Sequence, residues 1–145
     1  MKYTSNAITP VLLLAVVFTA GTAALAQDDG PLLTVKQLMN ALITPTTTTI
    51  WGAYQLETEA QWQEVENAAW AVIAAGELLA AGGAGPGESE MATEADWQSH
   101  NNDMIAAARQ VVAAAQARDE ETLSAVGNNA LYPPCETCHQ QYQNP

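Results

Sequence analysis

The chain has 145 residues, with four basic side chains against sixteen acidic ones and a formal net charge of −12 when both histidines are neutral. That balance excludes nucleic-acid binding, which needs a basic face to meet phosphates. The length is enough for one domain with one modest core and not for two.

Residues 1–26 read as an export signal. Lys2 is the positive start, Val11 to Phe18 the apolar run, and Ala24-Leu25-Ala26 a small-x-small cleavage site. The run is far shorter than the roughly 20 residues of a membrane span, and no second one follows. With no cysteine near the cleavage site, a lipid anchor is not expected. Cleavage would leave residues 27–145 as one domain in the periplasm, where Lys36, Arg109 and Arg118 face the same sixteen acids for a net charge of −13. Such a field keeps an exported protein soluble and can steer it to a basic patch on a partner.

Thr34-x-x-Gln37 is a capping box, followed at helical spacing by Val35, Leu38, Met39, Leu42 and Ile43. Pro45 interrupts this helix, and the threonines at 46–49 lower its propensity, so either one kinked helix or two pieces in line are expected through Ile50, Trp51 and Tyr54. A second capping box, Thr58-x-x-Gln61, opens a helix with Trp62, Val65, Ala69, Val72, Ile73, Gly76 and Leu79 on its buried side.

The glycine-rich stretch 81–87 is a flexible helix-to-helix loop. Thr93-x-x-Asp96 starts a third helix that buries Trp97, Met104, Ile105, Ala108, Val111, Val112 and Ala115 and fades near Arg118. Asp119 caps a fourth, carrying Leu123, Val126 and Leu131. Pro133-Pro134 breaks or bends that helix, and Pro134 opens a short restart bearing Cys135, Cys138, His139 and Tyr142. No segment has the alternation or turn signals of a sheet. The expected fold is therefore all-α, an antiparallel four-helix bundle. The tryptophans Trp51, Trp62, Trp70 and Trp97 are expected to be core and interhelix packing rather than cofactor contacts.

The strongest chemical signal is Cys135-Glu136-Thr137-Cys138-His139, which holds both cysteines of the chain. Cys-x-x-Cys-His is the spacing of covalent haem attachment: on a helix, i, i+3 and i+4 share one face, so two thiols can form thioethers with haem vinyls while the imidazole meets the iron. A zinc site would need two further ligands, and only His100 is left to give one. A thioredoxin-like dithiol needs a βαβ context that the helical pattern denies. The expected cofactor is one haem c, with His139 as an iron ligand, Cys135 and Cys138 as its tethers, and Glu136 and Thr137 facing solvent.

The position of this motif on the last helix, as Cys135-x-x-Cys138-His139-x-x-Tyr142, together with Val35-Lys36-Gln37-Leu38-Met39 on the first, resembles the class II cytochromes c, the cytochrome c-prime family. The resemblance implies a bundle with haem on the C-terminal helix and the first helix crossing the distal face. It implies Met39 as the distal iron ligand of a low-spin electron-transfer member, since Leu38-Met39 looks like the Leu-Met pair found there. Periodicity leaves Met39 equally able to be a core residue beside Val35, Leu42 and Ile43. In that case the iron stays five-coordinate and binds nitric oxide or carbon monoxide.

Lys36, and less strongly Arg109, are placed by the resemblance near a haem propionate, and each is also readable as a plain surface cation. His100 sits in a polar stretch and reads as an exposed helix residue; Met104 and Met91 read as packing. The chain departs from the family in having Gln143 after Tyr142, where a basic residue is usual. The resemblance further implies redox-protein partners, no enzymatic activity, and a homodimer formed through first helices, for which Ile50, Trp51 and Tyr54 are candidates that could equally finish the core.

Overall fold

The computed structural model describes residues 30–143, so the expected export signal and cleavage site lie outside the described residues. Everything regular within them is helical. Five helices follow one another: α1 over 35–51, α2 over Glu59–Leu79, α3 over Glu88–Met91, α4 over Ala95–Ala117 and α5 over 120–142. Among the described residues there is no strand, and no helix is long and apolar enough to cross a membrane.

Two capping boxes start helices where the sequence places them. Thr34 and Thr58 each accept from the backbone of the residue three further on, Gln37 or Gln61, whose side chain reaches back to the threonine N–H. Asp119 caps α5, its Oδ1 accepting from the Thr122 N–H at 2.9 Å. The third box does not form. Thr93 Oγ1 turns back to donate to the Glu90 carbonyl at 2.7 Å, so α4 begins at Ala95 behind Glu94, which makes no side-chain cap.

The core is an alanine-rich seam between α2 and α4, the most extensively packed pair of helices. Ala69 and Ala75 of α2 and Ala108 and Ala115 of α4 are fully buried, with Val72 and Val111 among the largest side chains sealed between them. Small side chains let the backbones approach. At Gly76 an added Cβ would collide with Ile105 of α4, and the Gly76 carbonyl instead accepts from Asn101 Nδ2 at 2.9 Å. Every apolar residue expected on the buried face of α2 is buried.

The prolines end no helix. At Pro45 the N–H is missing and the ring would strike the carbonyl four residues back. The chain widens one turn instead, so that the Thr44 N–H reaches the Met39 carbonyl across a π-turn at Met39–Ile43. Ahead of Pro133 and Pro134 the same solution recurs, with the Tyr132 N–H donating to the Gly127 carbonyl. Of the two outcomes expected at Pro133-Pro134, a break is absent: α5 runs on from Glu120–Val126 through Gly127–Leu131 into Tyr132–Tyr142.

Two further features differ from the expectation. The glycine-rich loop is fastened rather than loose: Glu88 Oε2 accepts from the Gly85 N–H at 2.8 Å and from the Val35 N–H at 2.9 Å, which ties the loop and α3 to the start of α1. A carboxylate is favourable at that helix N-terminus. Among the tryptophans, Trp62 and Trp97 are buried, but Trp51 and Trp70 are 43% and 47% exposed. Of the two alternatives open for Ile50, Trp51 and Tyr54, Ile50 takes the core at 3% exposure, whereas Trp51 and Tyr54 remain at the surface.

Candidate functional site

Helices α1 and α5 touch where Thr44–Trp51 meets Gly127–Leu131, and there the Trp51 Nε1–H donates to the Gly127 carbonyl at 3.0 Å. Beyond that contact a cavity of about 600 Å³ opens, within the range of roughly 300–1,000 Å³ usual for cofactor sites. Its walls come from both ends of the sequence.

From α1 the lining residues recur every four positions: Val35, Met39, Ile43, Thr47 and Trp51. A regular helix of 3.6 residues per turn drifts by about 40° with each such step. The π-turn at Met39–Ile43 takes up part of that drift and keeps the column on the cavity wall. Leu38 faces the core at 2% exposure while its neighbour Met39 is only half-buried and borders the cavity, so the Leu-Met pair is split between the two environments. Lys36 also lines the cavity; Arg109 does not, and it points to solvent from α4.

From α5 come Cys135, Cys138, His139 and Tyr142. The cysteines are half-buried and unbridged, and His139 is exposed at the rim. Cys135 Sγ donates to the Leu131 carbonyl at 3.2 Å. Burial, with Cys138 nearby as a smaller cause, pushes the Cys135 thiol up to about 11, and burial also raises Cys138. Both therefore stay protonated at neutral pH, unlike the activated thiolates of redox dithiols or a zinc site. Among the described residues no group of three or more His, Cys, Asp and Glu side chains converges to hold a bare metal ion. Glu136 and Thr137 are exposed, as expected.

Helix α4 contributes a stripe that sequence reading divided between core and solvent: Trp97, His100, Asn101 and Met104, spaced i, i+3, i+4 and i+7. Trp97 meets Tyr142 edge to face at 5.2 Å between ring centres and donates from Nε1 to the Leu79 carbonyl at 2.8 Å. Tyr142 donates to Glu94 Oε2 at 2.9 Å; burial first, and that carboxylate second, push its hydroxyl up to about 12. His100 is not the exposed residue the polar flanks suggested. Its Nε2 is buried and has no partner among the described residues. Met104 is buried and Met91 half-buried, and both border the cavity as well as packing.

The wall thus offers two neutral thiols and the His139 imidazole on α5, the thioethers of Met39, Met91 and Met104, the His100 imidazole on α4, and a largely apolar lining in which Lys36 and Glu88 are the charged side chains. Such a set has thiols to tether and imidazole and thioether groups to ligate a cofactor, whereas no cluster for a naked ion is present among the described residues. No protein-family model, curated protein or solved structure matches the chain.

Proposed function

We propose that this chain is a periplasmic monohaem c-type cytochrome that passes single electrons between partner proteins. The observation that carries this reading is that one cavity gathers Cys135, Cys138, His139, Met39 and Lys36 from the two ends of the sequence. In this reading the long helices form an antiparallel four-helix bundle with haem on the C-terminal helix. Cys135 and Cys138 hold the haem as thioethers, His139 is the proximal ligand, Met39 the distal one, and Lys36 pairs with a propionate.

Haem supplies a one-electron iron couple, whose potential a Met/His pair raises relative to two histidines. The protein's own share is to fix and shield. Thiols kept neutral by burial remain available for attachment instead of oxidising as an exposed dithiol would, and Trp97 against Tyr142 closes one side of the pocket. With His139 and Met39 both holding the iron, the haem would offer a substrate no open site, which supports a carrier rather than an enzyme. Its acidic surface suits partners with a basic docking patch.

Met39 is the decisive residue. Magnetic circular dichroism of the oxidised protein is expected to show a thioether-to-iron charge-transfer band that disappears in Met39→Ala, and only the variant is expected to bind carbon monoxide rapidly when reduced. Rapid, complete carbon monoxide binding by the unaltered protein would instead assign it to gas capture at a five-coordinate iron, with Met39 as wall.

A further inference from the structure

Around the cavity, the buried donors are almost all committed. Trp97 Nε1 donates to the Leu79 carbonyl at 2.8 Å, Asn101 Nδ2 to that of Gly76 at 2.9 Å and Thr47 Oγ1 to that of Ile43 at 2.8 Å. His100 is the exception: the residue borders the same space, and its Nε2 is buried with no partner among the described residues. Buried polar nitrogens without a partner are rare in folded proteins, because the hydrogen bonds lost to water are not replaced. The Oδ1 of Asn101 is unpartnered too, but it can only accept.

Charge narrows the identity of the missing partner. The chain is strongly acidic, and of the fully charged side chains on the cavity wall, Lys36 is the cation and Glu88 is already occupied by backbone N–H groups. A haem would bring two carboxylates into this setting, where one lysine is too little. An ionised carboxylate is acceptor-only, and an N–H donated to it makes a short, charge-assisted bond.

We propose that His100 donates its Nε2–H to a propionate oxygen of the haem held in this cavity, sharing with Lys36 the stabilisation of that cofactor's acidic side chains. The inference rests on the haem reading above and adds a residue to it. His100 is on this account a positioning residue and leaves iron coordination to His139 and Met39.

The test compares wild-type holoprotein with His100→Leu, which removes the donor, and His100→Gln, which returns an amide N–H to nearly the same place. Resonance Raman spectra of the leucine variant are expected to show the propionate bending band at lower frequency, with a lowered midpoint potential and unchanged low-spin marker bands; glutamine is expected to restore most of both shifts. If the leucine variant does not accumulate, the wild type alone decides: its His100 Nε2–H is expected to exchange slowly and to show a cross-relaxation peak to a propionate methylene. A propionate band unmoved by His100→Leu, a change of spin state in that variant, or absence of that cross-peak overturns the assignment while leaving the haem reading intact. Wild-type protein that is colourless from maturation-competent cells overturns both.

Discussion

The two halves of this molecule solve opposite packing problems. Along the α2–α4 seam the helices are regular, carry no proline, and meet through alanines and Gly76 with no space to spare. Between α1 and α5 each helix is widened by a π-turn beside a proline, and the space left is a cavity of about 600 Å³. Alanine-rich helices approach closely but fill volume poorly, and the unfilled space lies beside α1 and α5. The difference teaches that the seam supplies stability and the interrupted helices supply a site.

The largest effect expected from breaking this contrast falls on the cavity. Replacing Cys135 and Cys138 together with alanine should abolish covalent haem altogether while circular dichroism still reports a helical protein, because neither side chain belongs to the α2–α4 seam. A haem-stained denaturing gel reads the first outcome; retained stain would remove the cysteines from the site.

Overfilling the seam should act in the opposite way. Ala108→Leu, at a fully buried position of α4, is expected to cost about 1–3 kcal/mol in urea unfolding without changing the haem spectrum. A seam that accepted leucine at no cost would not be close-packed. Smaller again is the cap of α2, where Thr58→Ala should cost about 1 kcal/mol, read as a lowered urea midpoint with the spectrum preserved.

The smallest effect concerns the link between the halves, where Tyr142 of α5 reaches Trp97 and Glu94 beside α4. Its hydroxyl is raised from 10.0 to about 12, so the folded state holds this proton where the unfolded chain has released it. The contribution is therefore complete below pH 10 and is lost as pH rises through about 12. A tyrosinate absorbance titration should show a late step that Tyr142→Phe deletes, and a titration identical in both proteins would deny the link.

Much of this was legible in the sequence, and the parts that were not share a cause. Helices with a capping box and an apolar stripe, such as α2, announce themselves because local bonds and core burial demand the same conformation. Cys135, Cys138, His139, Met39 and Lys36, which motif spacing and resemblance single out, all border one cavity. At the prolines sequence leaves two outcomes open, because a missing N–H shows that a regular turn fails without showing whether the chain breaks or stays continuous through a wider turn. His100 was misjudged because its polar neighbours Gln98, Ser99, Asn102 and Asp103 hid a stripe with Trp97, Asn101 and Met104 that faces a cavity rather than an apolar core. The start of α4 was displaced because Thr93 is drawn into α3 by the Glu90 carbonyl.

All of this depends on what fills the space between α1 and α5. The most direct measurement is the intact mass, after denaturation, of protein exported in cells that carry haem-attachment machinery, taken with its reduced absorption spectrum. The account predicts a polypeptide heavier by one haem, no titratable free thiol, and the sharp α-band of a c-type cytochrome. A polypeptide of unmodified mass with both thiols free and no visible absorption would contradict it.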